Sequence, residues 1–187
     1  VPKQSDDPNY KIGRLLRHMQ LVSQEAWDPG PDLAIDEQTI GFQGRHADKR
    51  RITYKAEDDG FRCDALCNEG YTFSFYFRNQ PSPKTYLQQG LLPLYSRVML
   101  LFDSLRSRFH RLTFDNLYLS AKFCKASWNH PNKVLIAGVT RKGGRGLPPS
   151  VLHEEEQNKA KLVLARGTVK AAVLNMSLIH IGLCRRR

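Results

Sequence analysis

Apolar residues recur at helical spacing from Tyr10 to Glu25. Ile12, Leu15, Leu16, Met19 and Val22 fall on one face, and Arg14, Arg17 and His18 lie off it. That pattern predicts an amphipathic helix packing on another element. Asp28-Pro29-Gly30-Pro31-Asp32 stops it and marks a boundary. Leu33 to Ile35 reads as a short strand. From Phe61 to Cys67 the period changes to two, with Phe61, Cys63, Ala65 and Cys67 on one face. Asn68-Glu69-Gly70 is a turn, and Tyr71, Phe73, Phe75 and Phe77 then alternate with Thr72, Ser74 and Tyr76. The two runs predict a hairpin with an aromatic face, which packs in a core or stacks on unpaired bases.

Helical spacing returns over 94–109, where Val98, Leu101, Phe102, Leu105 and Phe109 form a stripe with Arg97, Arg106 and Arg108 off it. His110 to Phe114 is the next strand. Leu117 to Trp128 predicts a helix that stops at Asn129-His130-Pro131, and Val134 to Val139 a buried strand. The order is strand, hairpin, helix, strand, helix, strand. The first three strands can pair as an antiparallel meander, and each later helix allows a crossover to a parallel strand. The expected fold is a mixed α/β sheet with helices on its faces.

The chain of 187 residues carries a formal charge of +11 and a pI near 9.7, which points to a polyanionic partner, nucleic acid or an acidic membrane face. No apolar run reaches the roughly 18 residues that a membrane span needs. The first residues, VPKQSDDPNY, have no leader-like pattern and no starting Met, so the chain is expected to begin inside a longer protein. Cys63, Cys67, Cys124 and Cys184 form no CxxC pair. Cys63 and Cys67 read as small core residues, and a reducing compartment is expected. Between Gly41 and Lys55 the cations Arg45, Lys49, Arg50, Arg51 and Lys55 face one acid, Asp48. This is either a solvated loop or a track for DNA phosphates. A second basic stretch, RKGGRG at 141–146, brings Arg141, Lys142 and Arg145 but has no Walker A pattern, and the charged patch from His153 to Lys161 is most simply a solvated face.

Two apolar runs end in acids. Leu33-Ala34-Ile35 precedes Asp36 and Glu37, and Leu112 and Phe114 precede Asp115. Two carboxylates delivered at strand ends could hold a hard divalent cation between them. Spacing alone leaves other roles open: Asp36 could simply end a strand, and Asp115 could cap the helix that follows. Glu37 on a strand faces away from Asp36.

LAIDEQTIGFQGR at 33–45, GFRCDALCNEGYTFSFYF at 60–77 and LTFDNLYLSAKF at 112–123 resemble the transposase domain of the piggyBac family and of the domesticated proteins derived from it. The stretch from about Asp7 to Val173 is covered. The resemblance implies an RNase H-like fold with three essential aspartates. Asp36 matches the first and Asp115 the second, as catalytic metal ligands at the ends of neighbouring strands. No residue of this chain matches the third.

It further implies two divalent ions, Mg²⁺, and cleavage and transfer of DNA strands without a covalent protein intermediate. Terminal inverted repeats are recognised, and insertion is at TTAA. Expected partners are double-stranded DNA, both transposon ends and target, and a second copy of the complete protein, with no membrane; the expected location is the nucleus. Residues 1–32 would close a preceding helical DNA-binding or dimerisation region, 33–141 form a partial catalytic core, and 142–173 begin an insertion. Residues 174–187 are expected not to be native, because SLIHI followed by CRR resembles translated adapter DNA. With the third aspartate missing, this piece is expected to be inactive alone. Two other readings remain: a domesticated, non-catalytic module that binds DNA or protein, and an unrelated RNase H-like nuclease.

Overall fold

The strand that organises the sheet is β1, Asp32–Gly41, in which Leu33 and Ile35 are buried and Asp32, Ala34 and Asp36 are exposed. The computed structural model describes residues 7–51, 59–115 and 117–138, and the backbone of Lys170–Leu174 and Ser177–Ile181. In chain order a 3₁₀ turn (Tyr10–Ile12) leads into α1 (Gly13–Ala26), followed by β1, β2 (Arg50–Arg51), β3 (Asp59–Asn68) and β4 (Tyr71–Phe77). Then come α2 (Lys84–Gln88), α3 (Pro93–Phe102), β5 (Arg111–Phe114), α4 (Ala121–Asn129) and β6 (Leu135–Gly138). Strands β7 (Lys170–Leu174) and β8 (Ser177–Ile181) form a separate antiparallel pair. The other segments beyond residue 138, including RKGGRG and the patch at 153–161, lie outside the described residues.

β3 pairs antiparallel with β1 on one side and with β4 and β2 on the other, while β5 and β6 extend the sheet parallel to β1. This is the meander plus two parallel strands that the periodicities predict. β1 runs longer than Leu33–Ile35 because β3 supplies partners as far as Gly41. One face of the sheet carries the main core, in which Leu33, Ile35, Leu66, Leu112 and Phe114 meet Val98 and Phe102 of α3 and Phe123 of α4. A smaller cluster of Cys63, Ala65, Phe75 and Phe77 lies on the other face, where Leu16 of α1 packs on it.

Three boundaries or faces differ from the sequence pattern for a local reason. The aromatic face of β4 is split. Ala65 pairs with Phe75 and Leu66 with Ser74, but Cys67 pairs with Thr72, so Phe73 is the extra residue of a bulge. A bulge residue leaves the alternation, and Phe73 joins the main core while Phe75 and Phe77 stay on the opposite face. All of these rings are packed as core. Helix α3 ends at Phe102, not at 109. The N–H groups of Asp103, Ser104 and Leu105 turn to carbonyls three residues back, and Asn132 Nδ2 donates to the carbonyls of Phe102 (2.8 Å) and Leu105 (3.0 Å). That clamp keeps Leu105 in the core and lets the chain reverse into β5.

α4 starts at Ala121 and not at Leu117, because Ser120 is the cap: its side chain accepts from the Phe123 N–H at 3.2 Å. α1 rests on the sheet through Leu16, a Gln20 side chain that donates to the Phe75 carbonyl, and a Ser23 carbonyl that accepts from Tyr71 Oη. Its other apolar positions, Ile12, Leu15, Met19 and Val22, are exposed among the described residues. No described helix is long and apolar enough to cross a membrane.

Cys63 is fully buried, as its place in the alternation predicts. Burial, and secondarily the neighbouring Asp64 charge, pushes its thiol up to about 12. The unfolded thiol ionises near 9.0, so the unfolded state sheds its proton first, and native stability falls as pH rises from 9.0 towards about 12. At pH 8 native Cys63 should therefore stay unalkylated by iodoacetamide and become labelled only on unfolding, which peptide mass spectrometry reads directly.

Candidate functional site

The parallel register of β1 and β5 pairs Asp32 with Arg111, Leu33 with Leu112, Ala34 with Thr113 and Ile35 with Phe114. Asp36 and Asp115 are each one step beyond the last pair, on strands that lie about 4.8 Å apart. Leu33, Ile35, Leu112 and Phe114 point into the main core, so the alternation sends Asp36 and Asp115 to the opposite face, where both are exposed. Asp36 does not end its strand, since β1 continues past it along β3. It is β5 that stops, at Phe114, and this opens the sheet beside Asp36. Asp115 is not the helix cap; that role belongs to Ser120.

Local hydrogen bonds engage the Asp36 carboxylate and the Asp115 backbone. The Glu37 N–H donates to Asp36 Oδ1 at 2.7 Å. The Tyr118 N–H donates to the Asp115 carbonyl at 3.2 Å, closing a turn over 115–118. The carboxylate oxygens are hard donors of the kind Mg²⁺ and Mn²⁺ accept. Among the described residues no group of three or more His, Cys, Asp or Glu side chains could hold a metal. Among the described residues, Asp36 and Asp115 therefore belong to no complete cage.

Glu37 faces the other way and pairs in register with Asp64. There the structure contains a feature that motif reading missed. Asp64 is fully buried and accepts from Arg78 Nε (2.9 Å) and Nη2 (2.6 Å), from Arg97 Nε (2.9 Å) and from Tyr118 Oη (2.9 Å). Glu37 is held in turn by Arg62 at 3.1 Å and by Arg78 at 3.3 Å. Burial first, then the charge of Asp64, pushes the Tyr118 hydroxyl well above its ordinary range, so it is a neutral donor. One signal was available: an acid in the middle of the apolar run RCDALC. Arg97 gave none, because off the stripe of an amphipathic helix a cation reads as solvated, yet it is 9% exposed.

Of the residues read as a phosphate track, Arg45, Arg50 and Arg51 are exposed, while Lys49 is engaged with Asp59 at 2.9 Å. Lys55, Arg141, Lys142 and Arg145 lie outside the described residues. Arg50 and Arg51 line a groove of about 450 Å³ together with Arg62, Arg78, Asp48 and Asn79. A larger cleft lies beside α1, and neither concavity includes Asp36 or Asp115, which sit on open surface.

A family model described as Transposase IS4, of the DDE type, matches residues 1–185. The cryo-EM structure of a piggyBac transposase synaptic complex with hairpin DNA has a similar fold, with a TM-score of 0.66 at 23% identity. The match covers 87% of this chain and 32% of that one, so the chain spans about a third of the length of that transposase. No curated protein sequence matches.

Replacing Asp64 with Asn would leave Arg78 and Arg97 without their buried counter-charge. Asp64→Asn should cost about 3–5 kcal/mol of unfolding free energy, read from the urea midpoint by circular dichroism.

Proposed function

Because this chain belongs to the DDE transposase family whose model spans residues 1–185, we propose that it is part of a DNA transposase of the piggyBac kind, with Asp36 and Asp115 as two of its metal ligands. The observation that carries this reading is the parallel β1–β5 register, which brings two acids distant in sequence to neighbouring positions on one open face, Asp36 within β1 and Asp115 just past the end of β5. Side by side, two carboxylates repel, and a divalent cation between them relieves that repulsion. When bound, such ions, Mg²⁺ by the hardness of the oxygen donors, lower the pKa of the attacking water or 3′-hydroxyl and offset charge on the leaving oxygen.

The chain's own groups do the rest. Asp36 and Asp115 act as ligands and not as acid–base groups. The open surface around them, outside either concavity, leaves room for a DNA backbone to approach. Arg50 and Arg51 beside the arginine-lined groove are placed to hold phosphates, and Arg45 extends the same exposed segment. These contacts position the duplex and carry no sequence information of their own. The partner is DNA, transposon ends and target; the complete protein acts as a homodimer in the nucleus.

Asp36→Asn and Asp115→Asn should each abolish saturable Mn²⁺ binding by the chain, followed by electron paramagnetic resonance, and abolish Mg²⁺-dependent nicking by the longer protein that contains it. Nicking that survives either change sinks the ligand assignment. For the basic segment, Arg50→Ala combined with Arg51→Ala should weaken binding to any duplex and lower the slope of log K against log salt by about two. An unchanged slope in fluorescence anisotropy titrations would remove these residues from the DNA path.

A further inference from the structure

Arg78 stands just past β4, and one guanidinium reaches three elements there. Its Nε and Nη2 donate to Asp64 on β3, its Nη1 lies 3.3 Å from Glu37 Oε2 on β1, and its Nη2 donates to Tyr118 Oη at 3.1 Å beyond β5. Neutralising Asp64 does not by itself call for such a reach, since Arg97 already meets the second carboxylate oxygen from α3. What Glu37 and Tyr118 share is their neighbours. The Glu37 N–H binds the Asp36 carboxylate, and the Tyr118 N–H closes the turn on the Asp115 carbonyl. A planar fork with fixed donor directions can hold both at a set distance, which a flexible ammonium cannot.

We propose that Arg78, acting through Glu37 and Tyr118, is a positioning residue that sets the spacing of Asp36 and Asp115 across the parallel strand pair. This rests on the reading of those two aspartates as metal ligands. The strut lies on the buried side of the sheet and the carboxylates on the open side, so it acts on the backbone that carries the ligands and never touches the ion. Groups beneath a metal's own ligands commonly alter its affinity in this way.

The test is Mn²⁺ titration of the full chain by electron paramagnetic resonance, joined to amide hydrogen exchange without metal. Tyr118→Phe and Arg78→Lys should each weaken Mn²⁺ binding by about tenfold and speed exchange at the Tyr118 N–H. Arg97→Lys disturbs the same buried carboxylate from the helix side and should lower the urea midpoint without weakening Mn²⁺ binding. If Arg78→Lys does not fold, Tyr118→Phe, which keeps both arginines on Asp64, decides alone. Wild-type affinity in Tyr118→Phe overturns the positioning role, as does an equal loss in Arg97→Lys, while Asp36→Asn still tests the ligand pair separately. A wild-type chain that binds no Mn²⁺ removes both the pair and the strut.

Discussion

A carboxylate with no solvent exposure must be neutralised and hydrogen-bonded where it sits, and Asp64 imposes that demand on the middle of the sheet. Two arginines and a tyrosine answer it, and each comes from a different part of the chain: Arg78 from the end of β4, Arg97 from α3, Tyr118 from the turn after β5. The hairpin, the covering helix and the parallel strand pair cannot shift independently without leaving a charge or hydroxyl unpaired. Apolar packing alone tolerates such sliding better, because dispersion contacts have little directionality. Directional bonds to a buried charge give this sheet a defined register at the point where β1 and β5 carry their acids.

Around that centre the two faces of the sheet divide the work. The face under α3 and α4 is filled with large side chains, among them Phe73, Phe102, Tyr118 and Phe123. The opposite face is covered by α1 over β3 and β4, and by nothing described over β1 and β5, where Ala34, Thr113, Asp36 and Asp115 are exposed. Strand length completes the arrangement, since β5 ends at Phe114 while β1 runs on to Gly41. The acid on the longer strand thereby loses a neighbour on one side and keeps a rigid one on the other. Such a place is stiff enough to hold ligands and open enough for a polymer to approach.

The chain belongs to the DDE transposase family and shares its fold with the piggyBac transposase, of which it spans about a third. The strand order follows from connection length. A two-residue turn, Glu69-Gly70, forces β3 and β4 antiparallel, and the helical connections before β5 and β6 permit parallel neighbours. Short-range pattern therefore carries most of the topology.

The sequence by itself determined the succession of the main strands and helices, the meander followed by parallel strands, the core identity of Cys63 but not of Cys67, which is only partly buried, and the two acids that directly follow apolar strand residues. Each is a consequence of local period and connection length. It misjudged the ends of α3 and α4 because Asn132 and Ser120 stop or start those helices through bonds that periodicity does not register. It placed all the β4 aromatics on one face because a bulge changes side without changing composition. Only the tertiary structure decided that Asp36 and Asp115 share a face, that Ser120 relieves Asp115 of a capping role, and that Asp64, Arg78, Arg97 and Tyr118 form one network. The reason is physical: a residue's face is written in its neighbours along the chain, but a buried charge is satisfied by partners 14, 33 and 54 residues away, which only folding brings within hydrogen-bond reach.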